Sequence, residues 1–127
     1  MCGYSGFCNL DCNISTSNNI RVIKKITNKL AHRGPDEENY FINKHINLGH
    51  RRLIIVDAKN GKQPMSAKYK GNTYTLVYNG QLYNTKDIRD KLINAGFSFN
   101  GYSDTEVILK AFIYYGPKIF KEFNRYI

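Results

Sequence analysis

Between Ile20 and Leu30 the residues Ile20, Ile23, Ile26 and Leu30 recur at a spacing of three to four, with Lys and Asn among the residues between them. That rhythm predicts an amphipathic helix. The Ser-Asn run ahead of Ile20 supplies capping candidates, and the helix should end before Gly34-Pro35, because proline pushes the residue ahead of it out of helical geometry. Upstream, Cys2 to Phe7 reads as a short strand in which Gly3 and Gly6 suggest a close approach to the backbone. From Asn39 to Val77 the rhythm shortens to Tyr40 to Ile42, Ile46 to Leu48, Leu53 to Val56 and Thr73 to Val77, broken by Gly, Asn and Asp, which predicts strands. Helical spacing then returns twice. One helix covers about Thr85 to Asn94 and is closed by Gly96; the next is opened by Ser103-Asp-Thr-Glu106, which has the spacing of a capping box, and stops at Gly116-Pro117. Pro117 can start a last helix with Ile119, Phe120 and Phe123 on one face. The order is strand, helix, several strands, then two or three helices, and it predicts an α+β fold.

Composition narrows the class. A chain of 127 residues is read as one domain, 1–127, and 42% hydrophobic with 23% charged residues is the balance of a folded globular protein. No window approaches the ~20 apolar residues of a membrane span, and Met1 to Asn9 has neither a basic start nor an apolar signal core, so no membrane partner and a cytoplasmic location are expected. The three cysteines, Cys2, Cys8 and Cys12, crowd the first dozen residues in a spacing that fits neither a disulfide framework nor a zinc site, so no metal is expected. The net charge of +9 is scattered over the chain and gathered by no nucleic-acid motif, which favours a solvated basic surface over a nucleic-acid partner.

Candidate chemistry begins at Cys2. A thiol with an ordinary pKa near 8.5 is mostly protonated at neutral pH and needs a base to become a nucleophile. Removal of Met1, which the small Cys2 side chain permits, would place an α-amine of pKa about 7.7 to 8.0 on the same residue as the thiol. Taken alone, a second-position cysteine is better read as a buried structural thiol than as a nucleophile.

Four further motifs stand in order behind it: His32-Arg-Gly-Pro-Asp36, Leu48-Gly-His-Arg-Arg-Leu-Ile-Ile-Val-Asp57 with Gln63-Pro-Met65, Asn79-Gly-Gln-Leu-Tyr-Asn84, and Ser103-Asp-Thr-Glu-Val-Ile-Leu109. With Cys2-Gly-x-x-Gly-Phe7 they resemble the N-terminal glutaminase domain of glutamine-hydrolysing asparagine synthetases, a class II glutamine amidotransferase of the N-terminal nucleophile type. The resemblance runs from Met1 to about Pro117.

The resemblance implies an α-β-β-α sandwich and release of ammonia from glutamine through a Cys2 thioester, supplying asparagine synthesis. Asn79 and Gly80 match the family's oxyanion hole, although locally Asn79-Gly80 is also the commonest short hairpin turn. Arg52 matches the clamp on the substrate carboxylate; adjacent Arg51 should point to the opposite face of an extended segment and act as a surface charge. Asp104 matches the acid that binds the substrate ammonium and also suits the first turn of a helix. Structural hydrogen bonding is expected of His32 and His50. No cofactor is implied for the glutaminase reaction; ATP and Mg would belong to a synthetase domain, whose nucleotide loop this sequence does not contain. Glutamine and a synthetase domain or subunit are the implied partners.

Three positions depart from the family pattern. Gln81 stands where the family has Glu beside the substrate ammonium, which keeps a carbonyl acceptor and loses the charge. Asn39 replaces a Gly. After Phe120 the family continues into further strands, whereas this sequence reads to Ile127, so an incomplete domain is expected whose apolar face a second copy, a separate subunit or the Pro117–Ile127 tail would cover, leaving the chain either self-associated or only marginally folded. Gln81 and the short end motivate an alternative, an inert relative that binds glutamine or a partner subunit without turnover.

Overall fold

The computed structural model describes residues 1–126. They form a mixed α/β structure with antiparallel sheets, in two compact units: Met1–Ile55 with Lys62–Pro64, and Val56–Gly61 with the chain from Met65 onward.

The first unit is a three-stranded sheet with a helix on it. Strands β1 (Gly3–Cys8), β2 (Glu37–Ile42) and β3 (Ile46–Arg52) pair antiparallel in the order β1-β3-β2. Asn43 makes the β2–β3 corner by accepting from the backbone N–H of His45 and Ile46 at 2.9 and 2.7 Å, an Asx turn. Helix α1 (Ser17–Asn28) packs on β1 and β3. Its cap is Thr16, whose hydroxyl accepts from Asn19 N–H at 3.3 Å, so the Ser-Asn run lies inside the first turn and not ahead of it.

The face that α1 buries also differs from the expected one. Ile23 and Thr27 are fully buried, while Ile26 is exposed. The cause is Gly49 on β3: a Cβ built there would fall 2.0 Å from Thr27 Oγ1, so the helix approaches the sheet too closely for a larger residue at 27. Thr27 bonds back to the Ile23 carbonyl at 2.7 Å and meets Ser5 Oγ at 2.8 Å, which satisfies its buried hydroxyl. Gly6 fulfils the expected close approach, since a Cβ there would lie 2.6 Å from the Leu48 side chain.

Leu53 to Val56, expected as a strand, is irregular, and Ile55 and Val56 are exposed. Both neighbours of β3 run out at this point, with Gly3 opposite Arg51 and Glu37 opposite Arg52. Past Arg52 there is no strand left to pair with, and Pro35, ahead of β2, has no N–H to offer.

The second unit packs two helices with a hairpin and a short two-stranded pair. Strands β4 (Met65–Tyr69) and β5 (Asn72–Leu76) are joined by Lys70 and Gly71, both left-handed at φ 48° and 80°. Two consecutive left-handed residues define the tight turn that matches strand twist. Helix α2 (Thr85–Asn94) ends as expected at left-handed Gly96 (φ 97°), with Gly96 N–H on the Ile93 carbonyl and Phe97 N–H on the Leu92 carbonyl, both at 3.0 Å. Helix α3 (Asp104–Tyr115) packs on β4 and β5 and stops at left-handed Gly116. A 3-10 helix follows at Pro117–Lys121, and the short strands β6 (Gln81–Leu82) and β7 (Arg125–Tyr126) pair antiparallel.

The core here is Leu82, Ile88, Leu92, Val107, Ile108, Ala111, Ile119 and Phe123. Ile119 and Phe123 are buried as expected, whereas Phe120 is 42% exposed, its ring 5.7 Å from those of Phe112 and Phe123. Among the described residues no helix is long and apolar enough to cross a membrane.

Glu106 is the buried charge of α3. It accepts from Asn100 and Gly101 N–H at 2.9 and 3.0 Å and from Lys110 Nζ at 2.7 Å. Burial disfavours its charged form, but the Lys110 ammonium and the two N–H groups outweigh that and hold the carboxyl below its usual range. A depressed folded value means stability that is present above the unfolded pKa, about 4.3, and lost as pH falls through the folded one. Glu106→Gln should therefore lower the melting temperature near neutral pH, and its gap to wild type should close as pH falls below about 4. A gap unchanged down to about pH 3 would show that the charge contributes nothing.

Candidate active site

Cys2 lies one residue ahead of β1, so the register Gly3 to Arg51 brings it beside the end of β3. Its Sγ accepts from Leu53 N–H at 3.3 Å and can donate to the Leu53 carbonyl at 3.7 Å. The thiol is half-buried, whereas Cys8 and Cys12 are exposed. The Leu53 peptide is itself held. Asp36 N–H donates to the Arg52 carbonyl at 3.0 Å, and Asp36 Oδ2 accepts from Ile54 N–H at 2.7 Å. Gly34 lies against the same strand end: a Cβ there would fall 2.4 Å from the Arg51 carbonyl and 2.5 Å from Arg52 N, so only glycine lets the two backbones meet. The His32-Arg-Gly-Pro-Asp36 segment thus cradles the backbone on which the Cys2 sulfur rests.

Arg52 is 4% exposed and its Nη1 bonds to Glu37 Oε2 at 2.9 Å, across the β2–β3 ladder. Arg51 turns to the other face, where it meets Glu38 and Asn28. The expected division of the two arginines between opposite faces holds, but Arg51 is not the surface charge expected: its side chain is 12% exposed and is held by Glu38 and Asn28. Glu37, which orients the buried guanidinium, carried no signal in the sequence, because a cross-strand pair becomes visible only with the register. His32 sits with Nδ1 3.0 Å from the Lys29 carbonyl, a local bond at the end of α1, and His50 is buried within β3.

The other candidates lie in the second unit. Asp104 is the first residue of α3 and accepts from Leu82 N–H at 3.1 Å. Burial pushes its carboxyl up from the ordinary value, against the lowering effect of the Leu82 and Thr105 N–H groups. The same bond ties Asp104 to β6, whose first residue is the exposed Gln81. Half-buried Asn79 and exposed Gly80 lie in the irregular segment between β5 and β6. They form no hairpin: β5 pairs back to β4 and β6 pairs with β7, and the left-handed glycines among the described residues are Gly71, Gly96 and Gly116. Within each unit, then, the structure brings Cys2 to the Arg52–Leu53 backbone and Asp104 to the Gln81–Leu82 strand.

Residues 1–126 match the family described as glutamine amidotransferase domain. The chain belongs to that family. It is 42% identical over 113 residues to asparagine synthetase [glutamine-hydrolyzing] 3 of Bacillus subtilis (strain 168), covering 89% of this chain and 18% of the relative. Against asparagine synthetase [glutamine-hydrolyzing] 1 of the same organism the identity is 40% over 115 residues, 91% of this chain and 18% of the relative. Amidase chyE of Penicillium rubens is 33% identical over 125 residues, again 91% of this chain and 18% of the relative. The chain thus spans less than a fifth of the length of these curated relatives.

Proposed function

We propose that this domain hydrolyses glutamine to glutamate and ammonia through a thioester on Cys2. The observation that carries the reading is the Cys2 sulfur resting on the Leu53 peptide, next in chain to Arg52, whose buried guanidinium Glu37 orients. A nucleophile and a carboxylate-binding cation at one end of one sheet suit a substrate that presents an amide and an α-carboxylate.

The steps balance within the chain and water. The α-amine exposed by loss of Met1 takes the thiol proton, and sulfur bonds to the side-chain carbonyl carbon of glutamine. Asn79 Nδ2 and Gly80 N–H donate to the oxyanion. The C–N bond breaks, the nitrogen leaves with the transferred proton as ammonia, and water then cleaves the thioester to glutamate and returns a proton to sulfur. Arg52 holds the substrate carboxylate, and Asp104 with Gln81 holds the ammonium. No cofactor enters this sequence. The finer architecture we assign is the α-β-β-α sandwich of N-terminal nucleophile enzymes, acting in the cytoplasm. The ammonia acceptor is the substrate of a synthetase domain or subunit, which would bring its own ATP and Mg; two of the compared relatives bear the name asparagine synthetase. Ammonia release from glutamine by the Met1-free chain tests the reading.

Gln81 supports a second reading, glutamine binding without turnover, because it offers the ammonium a neutral acceptor where a carboxylate would add charge. Gln81→Glu should tighten glutamine by roughly 1 to 2 kcal/mol, the difference between a neutral and a charge-assisted hydrogen bond. Calorimetric titration checks this, and unchanged affinity would mean that Gln81 does not face the ammonium.

A further inference from the structure

Asp57 closes the Leu48-to-Asp57 motif, yet it has no part in the steps above. It holds left-handed backbone at φ 49°, unusual outside glycine, and its side chain is engaged on two sides. Oδ1 accepts from the backbone N–H and the side-chain amide of Asn60 at 3.0 and 3.2 Å. Oδ2 accepts from Tyr102 N–H at 2.6 Å, and Ser103 N–H also donates to the carboxylate.

These contacts reach the turn that leads into α3. A Cβ built on Gly101 would fall 2.0 Å from Asp57 Oδ2, so glycine at 101 is what lets the carboxylate approach. From its other side Glu106 takes the N–H groups of Asn100 and Gly101, and Arg89 Nη1 holds the Gly101 carbonyl at 2.9 Å. Four consecutive N–H groups, from Asn100 to Ser103, therefore end on two carboxylates. The next residue is Asp104. In a capping box the acid three residues after the cap would return to the cap's own N–H; here Glu106 has moved upstream and Asp57 fills that place from a distant part of the chain. The N–H groups of Tyr102 and Asn60 hold the Asp57 carboxyl below its usual range, so it stays ionised where these bonds are made.

We propose that Asp57 is a positioning residue for Asp104: by fixing the turn from which α3 starts, it sets the direction in which the Asp104 carboxylate faces Leu82 N–H and, on the reading above, the glutamine ammonium. A carboxylate at N1 of a helix takes its aim from the backbone ahead of it, and Asp57 is the group that ties down the two N–H groups just before it.

Asp57→Ala and Asp57→Asn in the full chain test this with two readouts. In Asp57→Ala, KM for glutamine should rise about tenfold, the loss of roughly one charge-assisted hydrogen bond, with kcat within about twofold. Asp57→Asn keeps one acceptor oxygen and should show an intermediate rise of about threefold. Independently of turnover, the Leu82 amide should exchange with solvent faster in both variants than in wild type, in the same order. A folded Asp57→Ala with wild-type KM and wild-type Leu82 exchange would overturn the proposal, and so would a fall in kcat at unchanged KM. Should Asp57→Ala fail to fold, the isosteric Asp57→Asn decides by the same criteria. If wild type itself neither binds glutamine nor releases ammonia, the glutamine reading fails, and Leu82 exchange still decides whether Asp57 sets Asp104.

Discussion

Cys2→Ala should abolish ammonia release from glutamine while the substrate still binds. The sulfur supplies the bond-forming electron pair, and no other group replaces it: Cys8 and Cys12 are exposed and have no adjacent amine. Removing the nucleophile of a catalytic unit costs on the order of 10⁴-fold or more in turnover. Binding rests on other groups, the Arg52 guanidinium braced by Glu37 and the Asp104 carboxylate braced by Leu82 N–H. Titration of Met1-free Cys2→Ala with glutamine should thus give a dissociation constant within a few-fold of the wild-type value. Residual turnover equal to wild type would remove Cys2 from the mechanism, and loss of binding together with turnover would give the thiol a structural role. That role has a concrete form here, since Cys2 Sγ accepts from Leu53 N–H, and Cys2→Ser separates the two cases by keeping an acceptor at that position.

Asn79→Ala should slow turnover of glutamine sharply while leaving its binding nearly intact. Attack on an amide places negative charge on the carbonyl oxygen, and a side-chain donor aimed at that oxygen is worth about 10² to 10³ in kcat. The ground-state amide carries no such charge, so KM should change little. Stopped-flow or coupled ammonia assays across glutamine concentrations read the split. Because Asn79 lies in irregular chain between β5 and β6 and makes no hairpin turn, the substitution removes no strand pairing. A fall in thermal stability with kcat preserved would return Asn79 to a local structural role.

What the sequence disclosed about the fold was local. Helix α3 could be placed to the residue because Ser103 caps it through the N–H of Glu106, three residues on, and α2 because Gly96 takes the left-handed position after its last turn. Both signals sit within a few residues of the effect. The misread stretch, Leu53 to Val56, has the β-branched composition of a strand, and what denies it that state is the ending of β1 and β2 alongside. Likewise Thr27 replaced Ile26 on the buried face of α1 because Gly49, more than twenty residues away, draws the helix in. The hairpin at Lys70–Gly71 went unread since lysine is a poor marker of left-handed backbone, while Asn79–Gly80, the stronger hairpin signal, makes no hairpin.

The candidate site shows the same division. The alternation of Arg51 and Arg52 follows from strand geometry and was legible. The supports were not: Glu37 across the ladder from Arg52, Asp36 on Ile54 N–H, and Asp57 on the turn before Asp104 all depend on pairings between distant segments. Sequence motifs marked two of these segments as unusual without saying what they hold.

If Cys2 is the acyl-carrying nucleophile, a glutamine-like diazo-ketone should label the Met1-free chain at that residue. The thiol proton passes to the diazo carbon, and the thiolate then displaces dinitrogen and forms a stable thioether, read by intact mass and peptide mapping alongside ammonia release. The expected result is one adduct, on Cys2, with Cys8 and Cys12 unmodified, slowed by added glutamine, and turnover lost in proportion to labelling. An adduct on Cys8 or Cys12, or full turnover from chain whose Cys2 is quantitatively blocked, would contradict it.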